Sequence, residues 1–180
     1  MALSHAILVS LLDRPQSGYD LAKRFDQTVG YFWNASHQQI YRELHKLSEA
    51  GLVRPAELTQ ADRPNRIVYS LTEGGEAHLH DWVDEPTTAP NVKEELLVKL
   101  FALGTADPAA LAQEVGRRLA FHQDRLARYE AVMAEYYPDP DSLPPRKQGH
   151  YLGLRMGVLL ERSLIDWCRE AEAVLAQAPR

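Results

Sequence analysis

The sequence predicts a mainly α-helical protein with one small β-hairpin, and three observations lead there. Apolar residues recur every three or four positions over most of the 180 residues. That period gives way to strict alternation only between Leu52 and Leu71. A proline- and threonine-containing stretch, "DEPTTAPN", then separates the mixed first part from a wholly helical second part. The expected organisation is therefore a first domain over residues 1–85 and a helical second domain over residues 86–180.

Leu3, Ile7, Leu8, Leu11 and Leu12 repeat at helical spacing, and Pro15 ends that helix. Ser17 is placed to cap a second helix whose expected apolar face is Tyr19, Leu21, Ala22, Phe25 and Val29, with Gly30 as its stop. The third helix opens at Ser36, where Ser36 and Gln39 have the spacing of a capping box. Ile40, Leu44 and Leu47 face inward, and Gly51 sits where a left-handed turn is needed. "LVRPAEL" and "RIVYSL" alternate as two strands, the second with Ile67, Tyr69 and Leu71 on one face, around a polar tip, "TQADRPN". Thr72 begins a further helix with Leu79, Trp82 and Val83 expected inside. Three helices, a two-stranded wing and a linking helix are the order of a winged helix-turn-helix domain.

The second domain reads as a short helix from Val92 to Leu103, then two long ones. Asp107 and Pro108 begin the first long helix, with the stripe Leu111, Val115, Leu119, His122, Leu126, Tyr129 and Met133. After the break "YPDPDSLPPR" the last helix runs from about Arg146 to near Ala176. Two long helices without a sheet cannot bury both apolar faces alone, so a second copy of the chain is the expected partner.

Composition excludes several classes. The lone Cys168 rules out an intrachain disulfide and a thiolate zinc cluster. No eighteen-residue apolar run occurs, and the apolar start lacks a basic leader and a small-residue cleavage site, so a cytoplasmic protein without membrane contact is expected. No Ser–His–Asp order, phosphate-binding glycine loop or metalloprotease helix is present, which argues against an enzyme and against a cofactor. His45 and Glu49 share a helix face, but one such pair does not make a metal site. The net charge of -5 leans against nucleic acid, so any such contact must rest on local placement.

Local placement is what the third helix offers. The second helix of a helix-turn-helix meets base edges with its N-terminal residues. Here those are His37, Gln38, Gln39, Tyr41 and Arg42, pairing types for adenine, guanine and phosphate. Gln39 is claimed by the capping box as well. Arg63 and Arg66 flank the hairpin tip and suit phosphate or the minor groove, and Tyr19, Lys23 and Arg24 are further candidates on the preceding helix. In the last helix Gly149, Gly153 and Gly157 form a stripe continued by Leu160, Leu164 and Trp167. Each glycine costs about 1 kcal/mol against alanine, so close helix packing at a dimer interface, with Leu119 and Leu126, is one reading. The other is a ligand cavity using His150, Tyr151 or Arg155.

"SGYDLAKRF", "FWNASHQQIYRELHKLSEAGLV" and "RIVYSLTEGGEAHLHDWV" resemble the N-terminal domain of PadR-type transcriptional regulators. The helical remainder is similar to the longer virulence-activator-like C-terminal domain of that family. The resemblance implies a dimeric repressor, a palindromic double-stranded operator and a small phenolic or aromatic effector. Residues 37–63 match the family's DNA-contact motif, whereas no ligand signature transfers. Two alternatives stay open: a winged-helix protein–protein adaptor, favoured by the acidic balance, and a metal-responsive regulator.

Overall fold

The computed structural model describes residues 2–25, 35–58, 66–89, 93–105 and 107–177. The chain divides into two compact units, residues 1–89 and 90–180.

The first unit runs α1 (Ala2–Leu11), β1 (Gln16–Ser17), α2 (Gly18–Phe25), α3 (His37–Glu49), β2 (Val53–Leu58), β3 (Arg66–Leu71) and α4 (Glu73–Val83). Its sheet has the order β1-β3-β2, antiparallel throughout, so the wing's second strand is central. Strand β1 was not expected. It is two polar residues long, too short for any alternation, and it is held by pairing Gln16 with Tyr69 and Ser17 with Val68. Buried Gln16 is satisfied in part by donating from Nε2 to the Ser10 carbonyl at 2.7 Å.

One apolar cluster joins α1, α2, α3 and α4, with Ile7, Leu8, Phe25, Ile40 and Leu44 at its centre. Four residues expected on inward faces lie outside instead: Leu12, Tyr19, Ile67 and Val83 are 40%, 61%, 52% and 72% exposed. Leu12 follows the last residue of α1, and Val83 is the last residue of α4, where neighbouring turns no longer cover them. Tyr19 sits roughly 110° round α2 from the centre of its buried Leu21–Ala22–Phe25 face. Ile67 is on the outer half of the wing, beyond the cover of the helices. Val29, Gly30, Arg63 and Val92 lie outside the described residues.

The turn from α3 into the wing depends on two glycines. Gly51 adopts φ 71°, the left-handed region where a side chain is strained. Gly75 passes so close to the Leu52 carbonyl that a Cβ there would collide with backbone. Thr72 closes the corner by accepting from Gly75 N at 3.1 Å while its hydroxyl donates to the Gly51 carbonyl at 2.7 Å.

The second unit comprises α5 (Glu95–Leu100), α6 (Pro108–Tyr136) and α7 (Pro145–Leu175). The first is shorter than expected, because Phe101 to Thr105 leave the helix in turns. Helices α6 and α7, of 29 and 31 residues, form an antiparallel hairpin. Asp107 caps α6 by accepting from Ala109 N at 2.9 Å. Leu96, Leu111, Val115, Cys168 and Leu175 are its buried apolar cluster. Burial raises the Cys168 thiol pKa, with Glu172 adding to the effect and Arg118 opposing it. Among the described residues no helix is long and apolar enough to cross a membrane.

Candidate nucleic-acid interface

Helix α3 carries the strongest candidate site, and its own sequence sets it up. The capping box forms in full: Gln39 N donates to Ser36 Oγ at 3.3 Å, and Ser36 N donates to Gln39 Oε1 at 2.8 Å. Two otherwise orphan N–H groups are satisfied, and the helix start becomes a fixed edge. The Gln39 carbonyl oxygen is therefore occupied by backbone, which removes one of the two points needed for bidentate pairing with adenine. Ile40 and Leu44 are fully buried and Leu47 nearly so, pinning the opposite face to the core. What remains outward is His37, Gln38, Tyr41 and Arg42, all exposed.

Tyr41 is less free than its neighbours. Its ring lies over Gly18, and a Cβ on Gly18 would overlap it. Gly18 therefore serves α3: with no side chain there, the tyrosine ring packs on the first turn of α2 and presents its hydroxyl from a supported position. The sequence signal for this was only a glycine after a capping serine.

Among the described residues, some of the remaining cations are paired and others are simply exposed. Arg66 donates from one terminal nitrogen to Asp20 Oδ2 at 2.9 Å. Arg24 pairs with Asp13 at 2.6 Å. Lys23 is exposed on α2, as is Arg54 on β2, a wing residue that sequence reasoning passed over. Arg63 lies outside the described residues.

In the second unit the candidate residues scatter. Tyr151 is half-buried, with its ring 6.1 Å from that of Tyr137, and His150 and Arg155 are half-buried on the same helix. None of the three lines the groove of about 350 Å³ between α6 and α7, where Gln123, Leu126, Glu130, Arg162, Ile165 and Arg169 meet. Of the proposed dimer residues, Gly157 and Leu119 are used inside the chain. A Cβ on Gly157 would stand 3.0 Å from the Tyr129 ring, and Leu119 packs on the unit's own apolar cluster. Gly149 and Leu160 face outward, Leu160 at 47% exposure. Gly153 is half-buried.

A buried polar cluster at the centre of this hairpin was missed. Glu161, 1% exposed, receives His122 Nδ1 at 2.6 Å on one oxygen and Arg125 at 3.2 Å on the other. Arg125 also donates to the Tyr129 hydroxyl at 2.7 Å and lies over the Phe121 and Tyr129 rings. By its spacing His122 is one more member of an inward stripe, and no local pattern marks Glu161 as its partner. Elsewhere the Arg117 guanidinium holds the half-buried Glu114 carboxyl below its usual pKa. Among the described residues, no group of three or more His, Cys, Asp or Glu side chains is placed to hold a metal ion.

Residues 7–81 match the model of the family described as "Transcriptional regulator PadR-like family", and residues 92–176 match "Virulence activator alpha C-term". A probable transcriptional regulator of Mycobacterium tuberculosis is 38% identical over 187 residues, covering 98% of this chain and 99% of that one. The negative transcriptional regulator PadR of Bacillus subtilis is 33% identical over 179 residues, covering 97% and 96%. Its crystal structure in complex with operator DNA is similar with a TM-score of 0.85 at 27% identity, covering 97% and 99%. Its complex with p-coumaric acid gives a TM-score of 0.79 at 26% identity, covering 98% and 100%. The Vibrio cholerae virulence activator AphA gives a TM-score of 0.79 at 35% identity, covering 97% and 98%.

Proposed function

The chain belongs to the PadR-like family of transcriptional regulators, and on that footing we propose that it is a homodimeric repressor released from a palindromic operator by a small aromatic acid. It is a transcriptional regulator and not an enzyme. The observation that carries the DNA reading is the outward set His37, Gln38, Tyr41 and Arg42 on a helix capped at one end and pinned on its opposite face. Arg42 is the residue for guanine and Gln38 the one for adenine, while His37 and Tyr41 suit phosphate. Lys23, Arg24, Arg63 and Arg66 add backbone contacts from α2 and the wing.

Repression is favoured by the Bacillus relative, a negative regulator, and the effector class by that protein's complex with p-coumaric acid. A homodimer is favoured by the outward apolar residues of α7, Leu152, Met156, Leu159 and Leu160, which stay exposed among the described residues. Two copies related by a two-fold axis present two α3 helices to two half-sites, and an acid that changes their separation weakens binding. The site of action is the cytoplasm, with the chromosome. Activation is the second reading, supported by the 35% identity to the Vibrio activator.

The test is selection of duplexes from a random library, followed by titration of the best sequence at several salt concentrations with and without p-coumaric acid. A two-fold symmetric site, a steep salt dependence and release by the acid are the expected results. Absence of any duplex binding would leave the adaptor reading. A transcription assay from a promoter bearing the selected site separates repression from activation.

A further inference from the structure

We propose that Asp20 is a specificity-determining residue: by holding one end of the Arg66 guanidinium it aims the rest at a single place on the duplex. This deepens the DNA-binding reading and rests on it.

The carboxylate is itself fixed. Asp20 stands in the first turn of α2, where its N–H donates to Ser17 Oγ at 3.2 Å and the Ser17 hydroxyl donates back to Oδ2 at 2.8 Å. Ser17 belongs to β1, which is paired to the central strand β3 opposite Val68. The same strand begins with Arg66, the last residue of the wing's ladder, opposite Leu58. Sheet pairing thus brings together two residues 46 positions apart. Arg66 donates through one nitrogen only, at 2.9 Å, to the oxygen already bound by Ser17. Both side chains of the pair are 45% exposed. An arginine has five N–H donors in a planar fork, so a single contact to a fixed carboxylate orients the plane and leaves donors facing solvent.

Two physical terms then act in the same direction. An oriented guanidinium has less freedom to lose when it binds at the one register where a phosphate or base edge meets it, which favours the cognate duplex. Non-cognate binding is the sum of loose phosphate contacts, which a mobile arginine makes as well as a fixed one. The Asp20 charge repels those phosphates as well. The setting magnifies this, because residues 1–89 hold eight Lys and Arg against twelve Asp and Glu. With so little background attraction, the direction of each cation near the helix decides which duplexes bind.

The experiment compares full-length wild type, Asp20→Asn, Arg66→Gln and the double variant. The probes are the duplex selected from a random library and poly(dI-dC), and thermal melting shows that each variant folds. Asparagine keeps an oxygen for the Ser17 hydroxyl while removing the charge that holds Arg66. Asp20→Asn should lower affinity for the selected duplex about five- to ten-fold and leave binding to poly(dI-dC) equal or tighter, so that discrimination falls. Arg66→Gln should flatten the slope of log K against log salt by about 0.9, and Asp20→Asn should lower affinity for the selected duplex no further in that background. Equal loss on both probes, no change on either, or a rise on both would overturn the proposal. So would a full effect of Asp20→Asn without Arg66. A wild-type protein that prefers no duplex would instead overturn the DNA-binding reading, independently of Asp20.

Discussion

In residues 1–89 one buried aliphatic cluster joins the helices, only scattered apolar residues such as Leu12, Ile67 and Val83 lie outside it, and the ion pairs Arg24–Asp13 and Arg66–Asp20 sit at the surface. In residues 90–180 a carboxylate and a histidine are buried between α6 and α7, while Leu152, Met156, Leu159, Leu160 and Val174 face outward. The first arrangement is that of a domain complete in itself, whose charges are available for orienting contacts. The second is that of a half-built interior. Its buried polar cluster ties α6 to α7, and its outward stripe repeats at i, i+4, i+7 and i+8 opposite the buried Leu154, Val158, Glu161 and Ile165. A buried ion pair is weak evidence for stability, but removing one member strands the others. The contrast teaches that the helical unit places its polar cluster inside, between its two long helices, and leaves an apolar stripe outside, which is the face the proposed homodimer would use.

That contrast breaks first at Glu161. Glu161→Ala leaves Arg125 and His122 without their shared acceptor and should cost about 3–5 kcal/mol of stability in urea unfolding of the full chain. A loss below about 1 kcal/mol would mean the cluster does not hold the hairpin. Next comes the outward stripe. Leu160→Asp should weaken self-association roughly a hundred-fold, about 2.7 kcal/mol, in sedimentation velocity, with helix content unchanged. An unaltered dimer would remove this stripe from the interface.

Within the first unit, Arg42→Ala should cost about 1–3 kcal/mol on the selected duplex and relax preference at one base position. Uniform weakening across sequences would reassign Arg42 to phosphate. Ser36→Ala should cost about 1 kcal/mol of stability through loss of the capping box, read by thermal or chemical melting. The smallest effect belongs to Cys168. Its raised pKa means the folded state favours the neutral thiol. Stability contributed there is present below the ordinary thiol range and lost as pH climbs through it. Native protein should therefore react with a disulfide reagent far more slowly than unfolded protein at mildly alkaline pH.

Much of this was readable from short stretches. The capping box of Ser36 and Gln39, the left-handed turn at Gly51, the cap at Thr72 and the Asp107–Pro108 start depend on atoms within four residues of one another. Helical periods likewise identified Ile40, Leu44 and Leu47 as the buried face of α3. Where a helix ends or a wing outruns its cover the same reasoning misplaced Leu12, Ile67 and Val83, because burial there depends on what lies above the residue.

By itself, then, the sequence determined the local order: which segments are helices, how α3, α4 and α6 are capped at their starts, and which side of α3 turns outward. Only the tertiary structure decided the pairings that give those segments their chemistry. Strand β1 exists because β3 is beside it, Tyr41 is supported because Gly18 is beneath it, and Gly157 is small because Tyr129 fills its place. Asp20 meets Arg66 across 46 positions, and His122 meets Glu161 across 39. Each of these contacts depends on the packing of separate elements, and no period or spacing along the chain encodes which two elements will meet.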